Sequence, residues 1–258
     1  MAVKPDPGGF PQRKYSEVPW VSSQQMRDVQ RVAQEEFGLE IMQLTENAGR
    51  AAGVLAQQML GGRGRGQRVV VLCGPGNKGA AGLAASRHLS NWGFRVDPVF
   101  SGVEDDASFT VRRQMTILRA SGVLEPADSE SSEITVEEQL AGAELVVDAL
   151  IGYGLEGAPP GIAGAVAQLA IDAGRPILAL DVPTGVNATT GEVSSPAIRA
   201  CTTLMLDLPK RGVFEPASRS HTGEVFVTDL GIPISVHERL GINVGSLFTE
   251  GPIVRLKR

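Results

Sequence analysis

At 258 residues the chain fits one large domain or, less often, two small ones. Hydrophobic residues at 42% and charged residues at 21% are ordinary for a globular protein with a substantial core. A formal net charge of -5 argues against a nucleic-acid binder, whose contact with phosphates needs a basic surplus.

Met1 to Trp20 hold four prolines, two glycines and several charges, so residues 1–21 read as a flexible arm. Tyr15 and Trp20 could dock on a surface that the sequence does not locate. The rest, residues 22–258, reads as one domain, without an internal repeat or a second-domain linker. Ser22 and Ser23 offer N-caps for a helix with Met26, Val29 and Val32 on one face. After Gly38 a second helix carries Met42, Leu44, Ala48, Ala51, Val54 and Leu55 at helical spacing. The basic positions Arg63, Arg65 and Arg68 read as a solvated loop before a strand.

From Gln67 onward strands and helices alternate. Strands are expected over 69–72, 94–100, 145–150, 176–180, 202–206 and 224–227, and helices over 79–92, 108–120 and 162–173. The acidic, serine-rich segment 125–138 reads as a loop leading into a short helix. Strands apolar on both faces, alternating with helices, predict an α/β fold: three αβα layers, Rossmann-like, around a mostly parallel central sheet. Cys73 and Cys201 make no disulfide framework, and His88, His221 and His237 form no paired-ligand motif, so no transition metal is expected. No apolar stretch reaches signal-peptide or membrane-span length, which makes the cytoplasm the expected compartment.

In an open parallel sheet, ligands bind beyond the carboxyl ends of the strands. Three strand-end loops stand out. The first, Cys73-Gly74-Pro75-Gly76-Asn77-Lys78-Gly79, enters a helix and matches G-x-G-x-x-G, with Asp97 at about the spacing of a ribose-binding acid. Asp97 falls inside the expected strand, however, and a tight turn without a ligand accounts for the same glycines. The loop lacks the lysine-hydroxyl pair of a Walker motif. The second, Asp148-Ala149-Leu150-Ile151-Gly152-Tyr153-Gly154, sets a carboxylate at the end of an apolar strand, where burial is costly without a partner. Asp148 could alternatively do no more than cap a turn. In the third, Asp181-Val182-Pro183-Thr184-Gly185, another strand-end aspartate precedes a proline-glycine turn and a hydroxyl. Two such carboxylates with a glycine loop suit acid–base or cation-assisted chemistry on a phosphate-bearing ligand.

These loops resemble those of the YjeF N-terminal family, the NAD(P)H-hydrate epimerases. Asp148 to Gly154 is similar to that family's aspartate loop, and Leu180 to Asn187 to its aspartate-proline-serine-glycine loop. Glu46-Asn47-Ala48-Gly49-Arg50 and Leu208-Pro209-Lys210 resemble two further signatures, all in order between Met26 and Pro233. The resemblance implies R/S epimerisation of hydrated NADH and NADPH, with a potassium ion near the dinucleotide ligand. It implies substrate contacts from Asn77, Lys78, Gly79, Ala80 and Ala81, from Gly152, Tyr153, Gly154, Leu155, Glu156, Gly157 and Ala158, and from Asp181, the expected catalytic residue. Asp148 and Thr184 match potassium ligands. Homodimers are common in the family, and apolar positions on the two N-terminal helices could supply the contact. No room remains here for the kinase-like dehydratase domain sometimes fused to the family, so a separate dehydratase is the expected partner.

The glycine loop departs from the family's Gly-Asn-Asn-Gly-Gly-Asp-Gly. Lys78 stands where an asparagine helps bind potassium, and Ala81 where the substrate loop has an aspartate. Lys78 could replace the ion with a tethered charge or point to solvent. Two functions follow. One is an epimerase acting through Asp181, intact or weakened by the missing carboxylate. The other is a non-catalytic domain binding a nucleotide or a protein partner. An ordinary NAD-dependent dehydrogenase is disfavoured, because no hydride-transfer site is visible.

Overall fold

The computed structural model describes residues 9–257 apart from 63, 65 and 125–133. Arg63, Arg65 and most of the acidic segment therefore lie outside the described residues. Among the described residues one sheet has eight strands: β1 (Gln12–Lys14), β2 (Arg68–Cys73), β3 (Arg95–Phe100), β4 (Leu145–Ala149), β5 (Ile177–Leu180), β6 (Thr202–Leu206), β7 (Glu224–Thr228) and β8 (Ile253–Lys257). Their spatial order is β1-β8-β7-β6-β5-β4-β2-β3. Every pairing is parallel except β7 with β8.

The β-branched run of β2 explains the layering. Successive side chains point to opposite faces, so Val69 and Val71 enter one core while Val70 and Leu72 enter the other. The first core is covered by α1 (Ser23–Glu35), α2 (Ile41–Met59), α3 (Asn77–Asn91) and α4 (Phe109–Ala120). The second is covered by α5 (Val136–Ala141) and α6 (Gly161–Asp172). This is the expected three-layer α/β fold. Ser22 closes a capping box with Gln25 at the start of α1, and Thr135 closes one with Glu138 at α5. No helix among the described residues is long and apolar enough to cross a membrane.

The described part of the expected flexible arm is instead an ordered brace. Its β1 pairs with β8, and Val21 forms a parallel bridge with Lys210. Tyr15 stacks on Phe214 with ring centroids 5.0 Å apart, and Arg211 lies 5.1 Å from the Trp20 ring. Polar β1 reads as arm in isolation; pairing with an edge strand decides its state. The apolar positions Met26, Val29, Val32, Leu44, Ala48 and Leu55 are buried within the chain, so they do not form the dimer face expected of them.

Helix α3 packs closely against the sheet and against its own loop. A Cβ on Gly82 would meet the Ala149 Cβ at 2.5 Å, and one on Gly79 would meet the Gly74 carbonyl oxygen at 1.8 Å. Only glycine lets this helix sit against the sheet and turn back over its own loop. Glu46 reaches across to Arg87 and His88, and Asn47 donates to the Leu230 carbonyl at 2.7 Å. The Glu46–Arg50 signature thus ties α2 to α3 and to the end of β7.

A buried ion pair ties a later helix to the loop after β6. His237, on α8 (Ile234–Arg239; the short α7 spans Arg219–Thr222), places Nε2 2.9 Å from Oδ2 of Asp207, which has φ +65° just after β6. Burial pulls the imidazolium down, but the hydrogen bond and charge of Asp207, with a further pull from Asp229, raise His237 above its ordinary value. A raised histidine contributes stability that is complete below the unfolded value of about 6.5 and disappears as pH rises through the folded value. The melting temperature should therefore fall above about pH 6.5. A His237→Gln variant should lack that limb in a melting series from acid to mildly alkaline pH.

Candidate functional site

The strand order reverses around β2, whose neighbours β3 and β4 follow it on opposite sides. Such a switch point opens a crevice at the carboxyl ends of the strands. Here the crevice is a cavity of about 720 Å3, and all three loops expected to converge reach it. Asn77, Lys78 and Ala81 line it from the first loop and the start of α3, Gly152, Tyr153 and Gly154 from the second, and Asp181 from the third. Other expected contacts do not line it. Gly79, Ala80 and Leu155 are buried in the packing, and Glu156, Gly157 and Ala158 are exposed beyond its rim. Asp97 is absent from the cavity and pairs with Arg68 at 2.5 Å, so it is not a ribose-binding acid here.

Asp181 ends β5 with φ +62°, a region that non-glycine residues visit at a cost. Its backbone N–H still donates to Leu204 O at 2.7 Å, so the ladder continues while the side chain is turned into the cavity. Oδ2 accepts from the Tyr153 N–H at 3.3 Å. Oδ1 lies 2.6 Å from Lys210 Nζ, an ionic contact without aligned hydrogen-bond geometry. Lys210 is 1% exposed and also donates to Leu206 O at 2.5 Å. Its loop is held by Val21, whose N–H donates to Pro209 O at 2.8 Å. Lys210, which pairs with Asp181, lies outside the three strand-end loops. Its signal in the sequence is the Leu208-Pro209-Lys210 signature, a few residues beyond the apolar strand β6.

Tyr153 closes one side. Its hydroxyl donates to Gln30 Oε1 at 2.6 Å, and its ring centroid stands 5.8 Å from Lys210 Nζ. Burial, reinforced by Asp181 and opposed by Arg27, pushes the phenol up to about 12, so it is a neutral donor at physiological pH. Cys73, at the end of β2, is buried and its thiol is pushed up by desolvation, an inert core residue.

Beneath the cavity floor lies a second charged cluster. Asp148 is fully buried; its Oδ2 accepts the Thr184 N–H at 2.8 Å, and its Oδ1 accepts the Thr184 hydroxyl at 2.7 Å and the Leu150 N–H at 3.1 Å. The carboxylate therefore caps the turn and also joins the second and third loops. Lys78 does not point to solvent: its Nζ lies 3.3 Å from Asp148 Oδ1. Burial lowers the Lys78 ammonium from the ordinary lysine value, while Asp148 and then Asp181 oppose the shift. Among the described residues no three His, Cys, Asp or Glu side chains converge as a metal site.

Fold and site together define a Rossmann-like α/β domain with a buried carboxylate–ammonium pair facing its switch-point cavity. Residues 41–212 match the family described as YjeF-related protein N-terminus. The chain is 39% identical to the NAD(P)H-hydrate epimerase of Dehalogenimonas lykanthroporepellens over 90% of each chain. It is 32% identical to that of Rhodopirellula baltica over 88% of this chain and 90% of the relative. It is also 33% identical to the bifunctional NAD(P)H-hydrate repair enzyme of Moorella thermoacetica, over 83% of this chain but only 40% of the relative. A crystal structure of a yeast protein, ynu0, superposes with a TM-score of 0.77 at 23% identity, covering 93% of this chain and all of the other. The chain belongs to the YjeF-related N-terminal family.

Proposed function

We propose that this protein interconverts the R and S epimers of hydrated NADH and NADPH. The observation that carries the reading is Asp181, turned into the cavity by its positive φ and set 2.6 Å from the Lys210 ammonium. The names of its full-length relatives point the same way. The cavity volume, about 720 Å3, suits a ligand with one ring system held inside and a tail extending outward.

The epimerised centre is a carbinolamine. Its C–O bond breaks as a proton reaches the leaving oxygen, and the ring nitrogen's lone pair forms a C=N bond. Water then adds to the opposite face and gives a proton back. One group that both lends and retakes a proton is enough, and general acid–base catalysis of this kind contributes about 10²- to 10⁴-fold. Asp181 is that group: it relays a proton from the adjacent Lys210 ammonium to the leaving oxygen and returns one taken from the adding water, so Lys210 acts through it. The Tyr153 backbone N–H orients the other carboxylate oxygen.

In this reading the product passes to a separate dehydratase, a division of labour consistent with the bifunctional relative, of which this chain spans 40%. The reading also assigns a homodimer and a cytoplasmic setting, where the reduced cofactors are used. One observation favours the rival reading, a non-catalytic binder. Ala81 puts a methyl on the cavity wall where the family has a carboxylate.

Incubating purified R hydrate of NADPH with the chain and resolving the epimers by chromatography separates the two. Conversion to the S form faster than the uncatalysed rate is expected. Ligand binding without conversion would establish the binder instead.

A further inference from the structure

A lysine at the second position of a helix breaks two local rules at once. Lys78 sits in the first turn of α3, where the helix dipole disfavours a cation, and its side chain is only 7% exposed. Local rules are broken where a site demands it. Here the compensation is an all-oxygen shell. Nζ donates to Val182 O at 2.9 Å and Ile151 O at 3.0 Å, and lies 3.3 Å from Asp148 Oδ1 and 3.4 Å from Thr184 Oγ1. One carboxylate, two carbonyls and a hydroxyl from two strand-end loops are the donor set of a hard cation. Gly152 leaves the passage, since a Cβ there would meet Asp181 Oδ2 at 3.2 Å and the Lys78 stem at 3.5 Å.

We infer that the Lys78 ammonium is a built-in replacement for a bound monovalent cation. The oxygens that would hold potassium are already turned onto Nζ, and a second positive centre does not fit among them. An ammonium and a potassium ion are alike in size and charge, so the shell serves either. The tethered form keeps the second and third loops joined at any ion concentration and places a fixed positive charge behind Asp181. Potassium is therefore not a cofactor of this chain. The inference deepens the proposed epimerase reading, yet its test reads ion occupancy rather than turnover, so each can fail without the other.

The test compares the parent with Lys78→Asn, which empties the shell of its ammonium. In potassium chloride and in choline chloride of equal ionic strength, the parent should melt at the same temperature. The variant should melt higher in potassium, by roughly 5–10 °C at a hundred times its dissociation constant. Thallium soaked into crystals should show anomalous density beside Asp148 in the variant and none in the parent. Thallium in the parent's shell, or potassium-dependent melting of the parent, would overturn the inference. So would a folded variant that takes up neither ion. The parent measurements decide the matter even if the variant does not fold.

Discussion

Asp181→Asn should lower kcat for hydrate epimerisation by about 10²- to 10⁴-fold, the contribution of a positioned acid–base group. Asparagine is the informative replacement because it tolerates the left-handed backbone conformation almost as well as aspartate, so the +62° φ survives. It also keeps an oxygen to accept from the Tyr153 N–H while losing the ability to carry a proton. KM should change little, since the remaining cavity wall is untouched. Steady-state kinetics with circular dichroism of the same preparation would distinguish this from unfolding. A variant within threefold of the parent in kcat would remove Asp181 from the chemistry.

The second large effect concerns stability. Lys210→Met deletes the ammonium from a pair in which Lys210 is 1% and Asp181 2% exposed. Removing one partner of a buried pair leaves an uncompensated charge and costs about 3–5 kcal/mol. For a chain of this size that corresponds to a fall in melting temperature of roughly 6–20 °C. Adding Asp181→Asn to Lys210→Met should recover part of the loss, because the stranded carboxylate is gone. Groups in direct contact couple non-additively in this sense. Differential scanning calorimetry of the two single variants and the double variant measures that coupling. Strict additivity would mean that the 2.6 Å contact carries no energy.

Much of the fold and of the site is legible in the amino-acid sequence. The apolar runs that form β2, β4, β5, β6 and β7 are short and bounded by turn residues, and their alternation with helices gives the layers. The strand-end positions of Asp148 and Asp181 locate the site, because a carboxylate closing an apolar strand needs a partner. What escapes depends on distant contacts. Neither Gln12–Lys14 nor Ile253–Lys257 has a core pattern strong enough to announce a strand, and each exists by pairing at the same edge. Lys210 is visible as part of a signature, but nothing local shows that it meets Asp181, 29 residues earlier in the chain. Lys78 is ambiguous for a related reason. A flexible four-carbon stem can reach inward or outward, and the oxygens that draw it inward come from residues 148–184.

In the proposed mechanism Asp181 moves a proton during loss and re-addition of water at the hydrated nicotinamide. The most direct measurement is epimerisation of the R hydrate in water enriched in oxygen-18, followed by mass spectrometry of both epimers. The S product should carry the solvent's oxygen, formed at the rate of epimerisation, and Asp181→Asn should reduce exchange and epimerisation together. An S product that retains the original oxygen, or exchange that persists undiminished in Asp181→Asn, would contradict that mechanism.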